Sequence, residues 1–506
     1  MNREPLLPRT PCRVSSGVPG LDDILSGGWP AHHLYLVEGD PGTGKTTLAL
    51  QFLLDGAANG EPGLYITLSE SQKELEGVAE SHHWPLQDVS IFEYTPTEES
   101  LRPENEYSAL HPSEVEFQDT MQSILTKVEE VRPARLVFDS LSEIRLLARD
   151  SLRYRRQVLA LKHFFLNRSC TVLMLDDRTS EAHDLQLQSI AHGVLLLERV
   201  ARDYGVERRR LRVAKLRGSH FREGFHDYTI GTGGVIVYPR LVANEHRFSS
   251  EKGIIQSGLS ALDALVGGGI PRGTSTLLTG PAGSGKSSLA VRYLFAAAER
   301  GESTALFHFD EGLNTLLERS AQLGMDLAAH MEAGRIELQQ FDPAEISPGE
   351  FTSFVRRAVE RRNARVVVID SLNGLLNSMS GEQQLLLQMH ELCAFLNQRG
   401  VATFLVLAQA GLLGVHMAPP VDISYLADNV ILLRYFEAEG EVRKAVSVLK
   451  KRSGVHERAI RELRLQEGRI EVGEPLKAFH GVLTGVPSFN GSSTALEGAL
   501  DGKPRP

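Results

Sequence analysis

The feature that most constrains the fold is an internal duplication. The segment SGVPGLDDILSGGWPAHHLYLVEGDPGTGKTTLALQF, which starts at Ser16, has a near copy, SGLSALDALVGGGIPRGTSTLLTGPAGSGKSSLAVRY, which starts at Ser257. Such a repeat predicts that each copy folds as a similar unit. The polar stretch VANEHRFSSEKG between the two copies is typical of a linker. The chain of 506 residues therefore predicts two domains, 1–245 and 246–485, followed by a flexible tail over 486–506.

Strands and helices alternate within each half. Apolar runs such as HLYLVEG, GLYITLS and ARLVFDS have the length of strands, and Met121, Ile124 and Val128 recur at helical spacing. Near-continuous apolar strands that alternate with helices are typical of a mostly parallel sheet covered by helices. The last part of each half favours antiparallel strands joined by turns. The predicted fold class is α/β, twice, with a mostly parallel central sheet in each half.

Composition and charge exclude several classes of protein. Apolar residues make up 42% and charged residues 23%, which excludes a largely disordered chain. The net charge of −10 argues against nucleic-acid binding. Cys12, Cys170 and Cys393 lack the spacing of metal ligands and predict a reducing compartment without disulfides. With no signal-peptide core and no apolar run of about 18 residues, we expect a cytoplasmic protein that does not enter the membrane.

The strongest motifs are two matches to G-x-x-x-x-G-K-[ST], GDPGTGKT and GPAGSGKS. Glycines allow backbone N–H groups to turn toward phosphate oxygens, and the lysine reaches the β- and γ-phosphates. The following helix directs its positive end at the same anion. A glycine-rich turn that matches by chance is disfavoured, because both motifs follow a strand and precede a helix. The predicted nucleotide-binding residues are Gly39, Asp40, Pro41, Gly42, Thr43, Gly44, Lys45, Thr46, Thr47, Gly280, Pro281, Ala282, Gly283, Ser284, Gly285, Lys286, Ser287 and Ser288.

Hydroxyls of the motifs and two strand-ending aspartates predict a magnesium site in each half. Thr46 and Ser287 would hold Mg²⁺ directly, and Asp139 in LVFDS and Asp370 in VVVIDS would hold it through water. The alternative is that the Asp, or the Ser after it, only caps the next helix. The motif upstream favours the metal role.

Acidic residues after the next strand are candidates for the catalytic base. Glu70 in ITLSES and Glu311 in FHFDEG could orient the water that attacks the γ-phosphate, or accept a proton from a hydroxyl. Either could instead be a solvated acid in the first turn of a helix. The second half offers an acidic pair, Asp310 and Glu311, where the first has Ser69 and Glu70, and this difference predicts two sites with different chemistry.

One pair of cations occurs late in each half. Lys215 and Arg217 lie in AKLRG, and Lys450 and Arg452 lie in LKKRS. Residues spaced two apart on a strand point to one side, so each pair could reach the γ-phosphate of a neighbouring subunit in the manner of an arginine finger. A solvated cationic edge is the alternative.

Together with the closing segments KLRGSHFREGFHDYTI and KKRSGVHERAIREL, these motifs resemble the KaiC family over nearly the whole chain. That family comprises double-domain ATPases with RecA-like P-loop halves, related to bacterial circadian clock proteins. The resemblance implies a homo-oligomer, a two-tiered hexamer with ATP and Mg²⁺ between subunits. It also implies a slow ATPase in the first half, an autokinase and autophosphatase acting on Ser/Thr in the second, and signalling or timing partners.

The resemblance also places a phosphoacceptor. The adjacent Ser-Thr pair that the family phosphorylates aligns with Ser424 and Tyr425, so Ser424 is the expected acceptor. A tyrosine in the second place disfavours a two-site Ser/Thr cycle, and Ser424 could instead be a turn or cap residue. The family also has two glutamates where this chain has Ser69-Glu70 and Asp310-Glu311.

Two other functions stay open at this stage. One is a nucleotide-gated signalling scaffold without kinase activity. The other is a RecA-like ATPase that acts on DNA. The acidic balance, and a sequence without a zinc knuckle or an aromatic–basic groove, disfavour the second.

Overall fold

The protein is described by a computed structural model that forms two compact units, Met1–Arg240 and Leu241–Pro506. The described residues are 12–94, 112–148, 150–177, 185–201, 204–243, 253–378, 382–409, 423–483 and 488–489. The predicted linker near residue 245 lies largely outside them, as does the predicted tail apart from Ser488 and Phe489. Among the described residues, no helix is both long and apolar enough to cross a membrane.

The N-terminal unit alternates strands and helices before it ends in antiparallel strands. Its elements are β1 Arg13–Val14, α1 Leu21–Ile24, β2 Trp29–Pro30, β3 Leu34–Gly39, α2 Lys45–Ala58, β4 Gly63–Thr67, α3 Gln72–Ser81, β5 Val89–Glu93, α4 Pro112–Val131, β6 Arg135–Asp139, α5 Leu141–Ala148, α6 Ser151–Leu166, β7 Thr171–Asp177, α7 Leu185–Ile190, β8 Gly193–Val200, β9 Arg208–Leu216, β10 His226–Gly231 and β11 Gly234–Tyr238.

The strands of the C-terminal unit follow the same order around its sheet. Its elements are β12 Ile254–Ile255, α8 Ser260–Leu265, β13 Ile270–Pro271, β14 Ser275–Gly280, α9 Lys286–Glu299, β15 Thr304–His308, α10 Leu313–Gln322, α11 Leu327–Glu332, β16 Ile336–Gln340, α12 Pro348–Arg362, β17 Val366–Asp370, α13 Leu372–Asn377, α14 Glu382–Gln398, β18 Ala402–Ala408, β19 Asn429–Ala438, β20 Glu441–Lys451, β21 Arg461–Gln466, β22 Arg469–Pro475, β23 Phe479–His480 and β24 Ser488–Phe489.

The two nine-stranded sheets have identical topology. Their strand orders are β5-β4-β6-β7-β3-β8-β9-β10-β11 and β16-β15-β17-β18-β14-β19-β20-β21-β22. The first six strands of each order are parallel, and the last three add in antiparallel fashion. The predicted α/β fold with mostly parallel sheets and antiparallel closing strands is confirmed in both halves.

Each sheet is buried on both faces, which explains the continuous apolar strands. In β3, Tyr35 and Val37 pack on the face covered by α2, whereas Leu34 and Leu36 pack on the face covered by α4 and α6. The second unit repeats this arrangement with two separate apolar clusters. Because the central strands are parallel, their carboxyl ends all meet at one edge of the sheet, where ligands bind in folds of this kind.

Candidate functional site

In the N-terminal unit, the predicted nucleotide-binding loop connects β3 to α2 at the carboxyl edge of the sheet. Gly39 ends the strand and Lys45 begins the helix. Between them, Gly44 takes a φ of 89° that favours glycine, and no side chain caps the helix there. The first N–H groups of a 14-residue helix therefore point at the loop without a side-chain acceptor. The Thr43 carbonyl accepts a hydrogen bond of 2.6 Å from the hydroxyl of Tyr228 on β10, and this bond holds the loop against the sheet.

The C-terminal unit builds the same loop between β14 and α9. Gly285 has a φ of 102° and, again, no side chain caps the helix that begins at Lys286. The Tyr435 hydroxyl donates to the Ala282 carbonyl at 3.0 Å. Each loop is thus an uncapped helix start on a glycine turn, held by a tyrosine from a later strand of its sheet, β10 in the first unit and β19 in the second.

The two loop lysines have different partners. Lys45 Nζ lies 2.6 Å from Asp177 Oδ1 and donates to the Gly39 carbonyl at 2.7 Å. Asp177 ends β7, the strand directly beside β3. The corresponding end of β18 is Ala408, opposite Gly280. The N-terminal lysine therefore has a carboxylate of its own chain, and the C-terminal site has no carboxylate at that position.

Lys286 is buried and donates to the Pro281 carbonyl at 2.7 Å. Burial lowers the pKa of its ammonium to about 8, and Asp370 opposes that shift. A buried cation that faces carbonyl oxygens, beside an uncapped helix start, fits a phosphate group. The residues present in both loops therefore suit the triphosphate of a nucleotide.

The strand-ending aspartates lie beside these loops. Asp139 is buried at the end of β6 and accepts a hydrogen bond from the Tyr65 hydroxyl at 2.6 Å. Burial raises the pKa of Asp139, and the hydrogen bond from Tyr65 opposes that rise. Thr46, the residue after the loop lysine, lies beside the same group and opposes the rise in the pKa of Tyr65 and of Glu70. A hydroxyl and a carboxylate beside a phosphate-binding loop suit Mg²⁺, which binds proteins through one or two carboxylates and takes its other ligands from water and substrate phosphates.

In the C-terminal unit, Asp370 ends β17 and hydrogen-bonds with Ser287. Burial raises the pKa of Asp370, while Ser287 and Arg319 oppose the rise. The next residue, Ser371, is the cap of α13, because its side chain accepts from Gly374 N. The capping alternative considered for the Asp-Ser pair therefore applies to the serine of this unit. The Asp139–Ser140 and Asp370–Ser371 peptide bonds are both cis.

Glu70 lies just after β4, facing the carboxyl edge of its sheet. Its Oε2 atom is buried and accepts no hydrogen bond within the described part of the chain. Burial, with the negative charges of Asp139 and Glu74 beside it, raises the pKa of Glu70 to about 7. Glu74, rather than Glu70, is the acid in the first turn of α3, where it forms a capping box with Ser71. A carboxyl group that exchanges a proton near neutral pH is suited to act as a general base.

The acidic pair of the C-terminal unit is arranged differently. Glu311 Oε2 forms an ion pair of 2.7 Å with Arg319 of α10. The exposed Asp310 accepts a hydrogen bond from the Ser371 hydroxyl at 2.5 Å. Each unit therefore presents a carboxylate at the predicted place, but one is unpaired and the other is bound to a guanidinium group.

The late cations of the N-terminal unit lie at the opposite edge of the sheet from the loop. Lys215 on β9 pairs with Val194, which is level with Leu36 near the start of β3. Its Nζ donates to the Gln188 and Ala191 carbonyls at 2.6 and 2.8 Å, and Arg217 donates to the Ser189 carbonyl at 2.6 Å. Both cations therefore bind the carbonyls at the end of α7.

The C-terminal unit repeats this cluster with Ser424 inside it. Lys450 Nζ donates to the Ser424 and Ala427 carbonyls at 2.9 and 2.8 Å, and Arg452 donates to the Tyr425 carbonyl at 2.6 Å. The cluster precedes β19, whose first residue lies beside Thr276 near the start of β14. The six residues of β14, roughly 16 Å of strand, separate it from the loop at Gly280.

Three residues that touch these sites were not singled out from the sequence. Asp177 could have been found, because it ends an apolar strand as Asp139 does. Tyr65 lies inside a strand, where a hydroxyl gives no signal of its direction. Arg319 lies eight residues beyond Glu311. The two side chains meet only because α10 folds back beside the end of β15.

A family model described as "ATPase: KaiC" matches residues 14–242 and again 255–477. The chain is 25% identical over 505 residues to "Circadian clock protein KaiC3" of Synechocystis sp., covering 97% of this chain and 98% of that protein. It is 26% identical over 486 residues to "Circadian clock oscillator protein KaiC" of Picosynechococcus sp., covering 94% and 92%. Both relatives are matched along nearly their whole length.

Proposed function

Because the chain belongs to the KaiC family of ATPases, we propose that it binds ATP with Mg²⁺ at both loops and hydrolyses it. We further propose that the C-terminal site transfers the γ-phosphate to Ser424 of a neighbouring copy. The observation that carries the proposal is the repeated geometry of the loops, each with a buried lysine and a strand-ending aspartate at one sheet edge.

The loops and their hydroxyls would hold the nucleotide. Lys45 and Lys286 would bind the β- and γ-phosphates together with the N–H groups of the helix starts. Thr46 with Asp139, and Ser287 with Asp370, would hold Mg²⁺, which supplies charge neutralisation between those phosphates when it is bound.

Hydrolysis is assigned to Glu70 in the N-terminal site. Its carboxylate would orient a water molecule and accept one proton from it as the water oxygen bonds to the γ-phosphorus. The bond between that phosphorus and the β–γ bridging oxygen breaks, and ADP leaves. The buried, unpaired Oε2 atom and the pKa of about 7 support this role.

Phosphoryl transfer is assigned to the C-terminal site. The Ser424 oxygen would attack the γ-phosphorus, its proton would pass to the acidic pair of Asp310 and Glu311, and ADP would leave. Within one copy, Ser424 lies at the opposite edge of the sheet from the loop at Gly280. This separation supports transfer between copies rather than within one copy.

The same separation supports an oligomer with nucleotide at its interfaces. Lys215 with Arg217, and Lys450 with Arg452, lie too far from the loop of their own unit to touch its nucleotide. We assign them to the γ-phosphate of a neighbouring copy, in a hexamer like that implied for the family. Both relatives are named as circadian clock proteins, and on that basis we extend the proposal to a role in timing or signalling.

The test is incubation of the full chain with labelled ATP, followed by mass spectrometry of the 415–435 peptide. We expect phosphate on Ser424, none in a Ser424→Ala variant, and unchanged incorporation in a Tyr425→Phe control. Size-exclusion chromatography with ATP should show an oligomer. Hydrolysis without any incorporation would favour a nucleotide-gated scaffold, and a monomer with ATP bound would contradict the interfacial sites.

A further inference from the structure

Arg319 lies among the candidate catalytic and metal-binding residues of the C-terminal site. From α10, its guanidinium group contacts Glu311 Oε2 at 2.7 Å and Ser288 Oγ at 3.1 Å. It is also close enough to Asp370 to oppose the rise in that residue's pKa. One cation therefore touches the candidate base and the start of the loop helix, and acts on the candidate metal ligand. None of the predicted roles accounts for it.

The position of the N-terminal unit that is equivalent to Arg319 holds no cation. The residue eight positions beyond Glu70 is Val78 on α3, which packs partly buried against the core. No cation is paired with Glu70 among the residues that the structure describes, and its Oε2 atom stays without a hydrogen bond. Since the two sheets share one topology, this difference comes from the side chains alone.

An ion pair changes what a carboxylate can do. The bond between Arg319 and Glu311 occupies Oε2, one of the two carboxylate oxygens that could accept a proton or align a water molecule, and it fixes the direction of the other. Both side chains are 30% exposed, so the pair is partly shielded from water. Charge-assisted hydrogen bonds in such surroundings are stronger than those at an open surface. While it is bound to Arg319, the Glu311 side chain cannot turn freely toward a water molecule. Within the described part of the chain no guanidinium group holds the exposed Asp310, which accepts a hydrogen bond from Ser371.

We propose that Arg319 is a positioning residue that restrains Glu311. The C-terminal site then hydrolyses ATP slowly and keeps the γ-phosphate for transfer to a hydroxyl group, with Asp310 as the proton acceptor for that transfer. This inference rests on the proposed function, because it assumes that Glu311 faces a bound nucleotide.

The experiment measures hydrolysis by the C-terminal site in the full chain. A Glu70→Gln variant silences the N-terminal base while leaving its loop intact. Adding Arg319→Val, which copies the residue of the N-terminal half, should raise kcat about tenfold, because a general base typically contributes 10²–10⁴-fold and releasing Glu311 restores part of that contribution. KM should change less than about threefold. Arg319→Lys, which keeps the ion pair, should retain the slow rate.

A second variant shows whether the gain passes through Glu311. Adding Glu311→Gln to the Glu70→Gln, Arg319→Val chain should abolish the gain. A gain that persists there overturns the inference, as does an unchanged kcat with Arg319→Val. Loss of binding of a fluorescent ATP analogue in the Arg319→Val chain also overturns it, because Arg319 would then support the pocket. A wild-type chain that neither binds nor hydrolyses ATP would instead overturn the proposed function itself.

Discussion

The two halves of this chain share every strand of their sheets in the same order, yet they connect their charged groups differently. In the N-terminal half, Lys45 is paired with Asp177 and Glu70 is unpaired. In the C-terminal half, Glu311 is paired with Arg319, and Ala408 stands where Asp177 would be. The shared backbone therefore places the two loops alike, whereas a few side chains at the strand ends give the two candidate sites different charge pairs.

The largest effect should follow from removing either loop lysine. Lys286→Ala should lower ATP affinity at the C-terminal site by roughly 10- to 100-fold, because it removes charge-assisted hydrogen bonds to phosphate. We expect phosphorylation to be abolished while the oligomer persists. Lys45→Ala should weaken ATP binding and assembly together. Nucleotide titration and size-exclusion chromatography of both variants check this. If both variants weakened assembly equally, the prediction that assembly depends on the N-terminal site would be wrong.

Replacing the two candidate bases should separate the sites next. Glu70→Gln should reduce total ATP hydrolysis by about 100-fold, because it removes an unpaired general base. Glu311→Gln should reduce it far less, since that carboxylate is already bound to Arg319. Steady-state release of phosphate measures both. A larger loss with Glu311→Gln would reverse the assignment of hydrolysis to the N-terminal half.

A reciprocal exchange tests the partner of the loop lysine. Asp177→Ala should raise ATP affinity at the N-terminal site about three- to fivefold, because phosphate no longer competes with a carboxylate for Lys45. Ala408→Asp should lower affinity at the C-terminal site by a similar factor. Binding isotherms in the Lys286→Ala and Lys45→Ala chains, respectively, isolate each site. If ATP affinity changed in the same direction in both exchanges, the residue at the strand end would affect ATP binding by a route other than its contact with the loop lysine.

The smallest expected effect is a difference in acid sensitivity. Burial lowers the pKa of His226 to about 4, and its ring donates to the Arg222 carbonyl and accepts from Arg240 N. The corresponding Arg461 on β21 pairs instead with Glu457. Since the unfolded histidine has a pKa near 6.5, the folded state binds fewer protons. The neutral ring thus contributes stability above that pH, and the contribution is lost as pH falls toward 4.

Hydrogen exchange of β10 and β21 peptides at pH 7.5 and pH 5 measures this difference. Between these pH values, we expect β10 to lose roughly 1–3 kcal/mol of protection, and β21 to lose less. His226→Asn, whose carbonyl can still accept from Arg240 N, should remove most of the pH dependence. Equal losses in the two halves of wild-type protein would contradict the role of His226.

Local patterns in the sequence predicted the scaffold and the loops. The apolar strands, the motifs around Lys45 and Lys286, and the strand-ending Asp139 and Asp370 depend on neighbours along the chain, so their placement was predictable. The pairs that distinguish the two halves join residues that are distant in sequence or lie on different elements. Lys45 and Asp177 meet because β7 lies beside β3, and that adjacency is a property of the folded sheet.

The position of the Lys450–Ser424 cluster, across the sheet from the loop of its own unit, has a consequence for assembly. In the proposed transfer, a copy would receive phosphate at one edge and offer its own nucleotide at the other, so contacts between copies would be heterologous, head to tail. Such contacts either propagate without end or close on themselves. In a closed ring every donor has one recipient and no copy is terminal, so a phosphate mark could be passed in one rotational direction only.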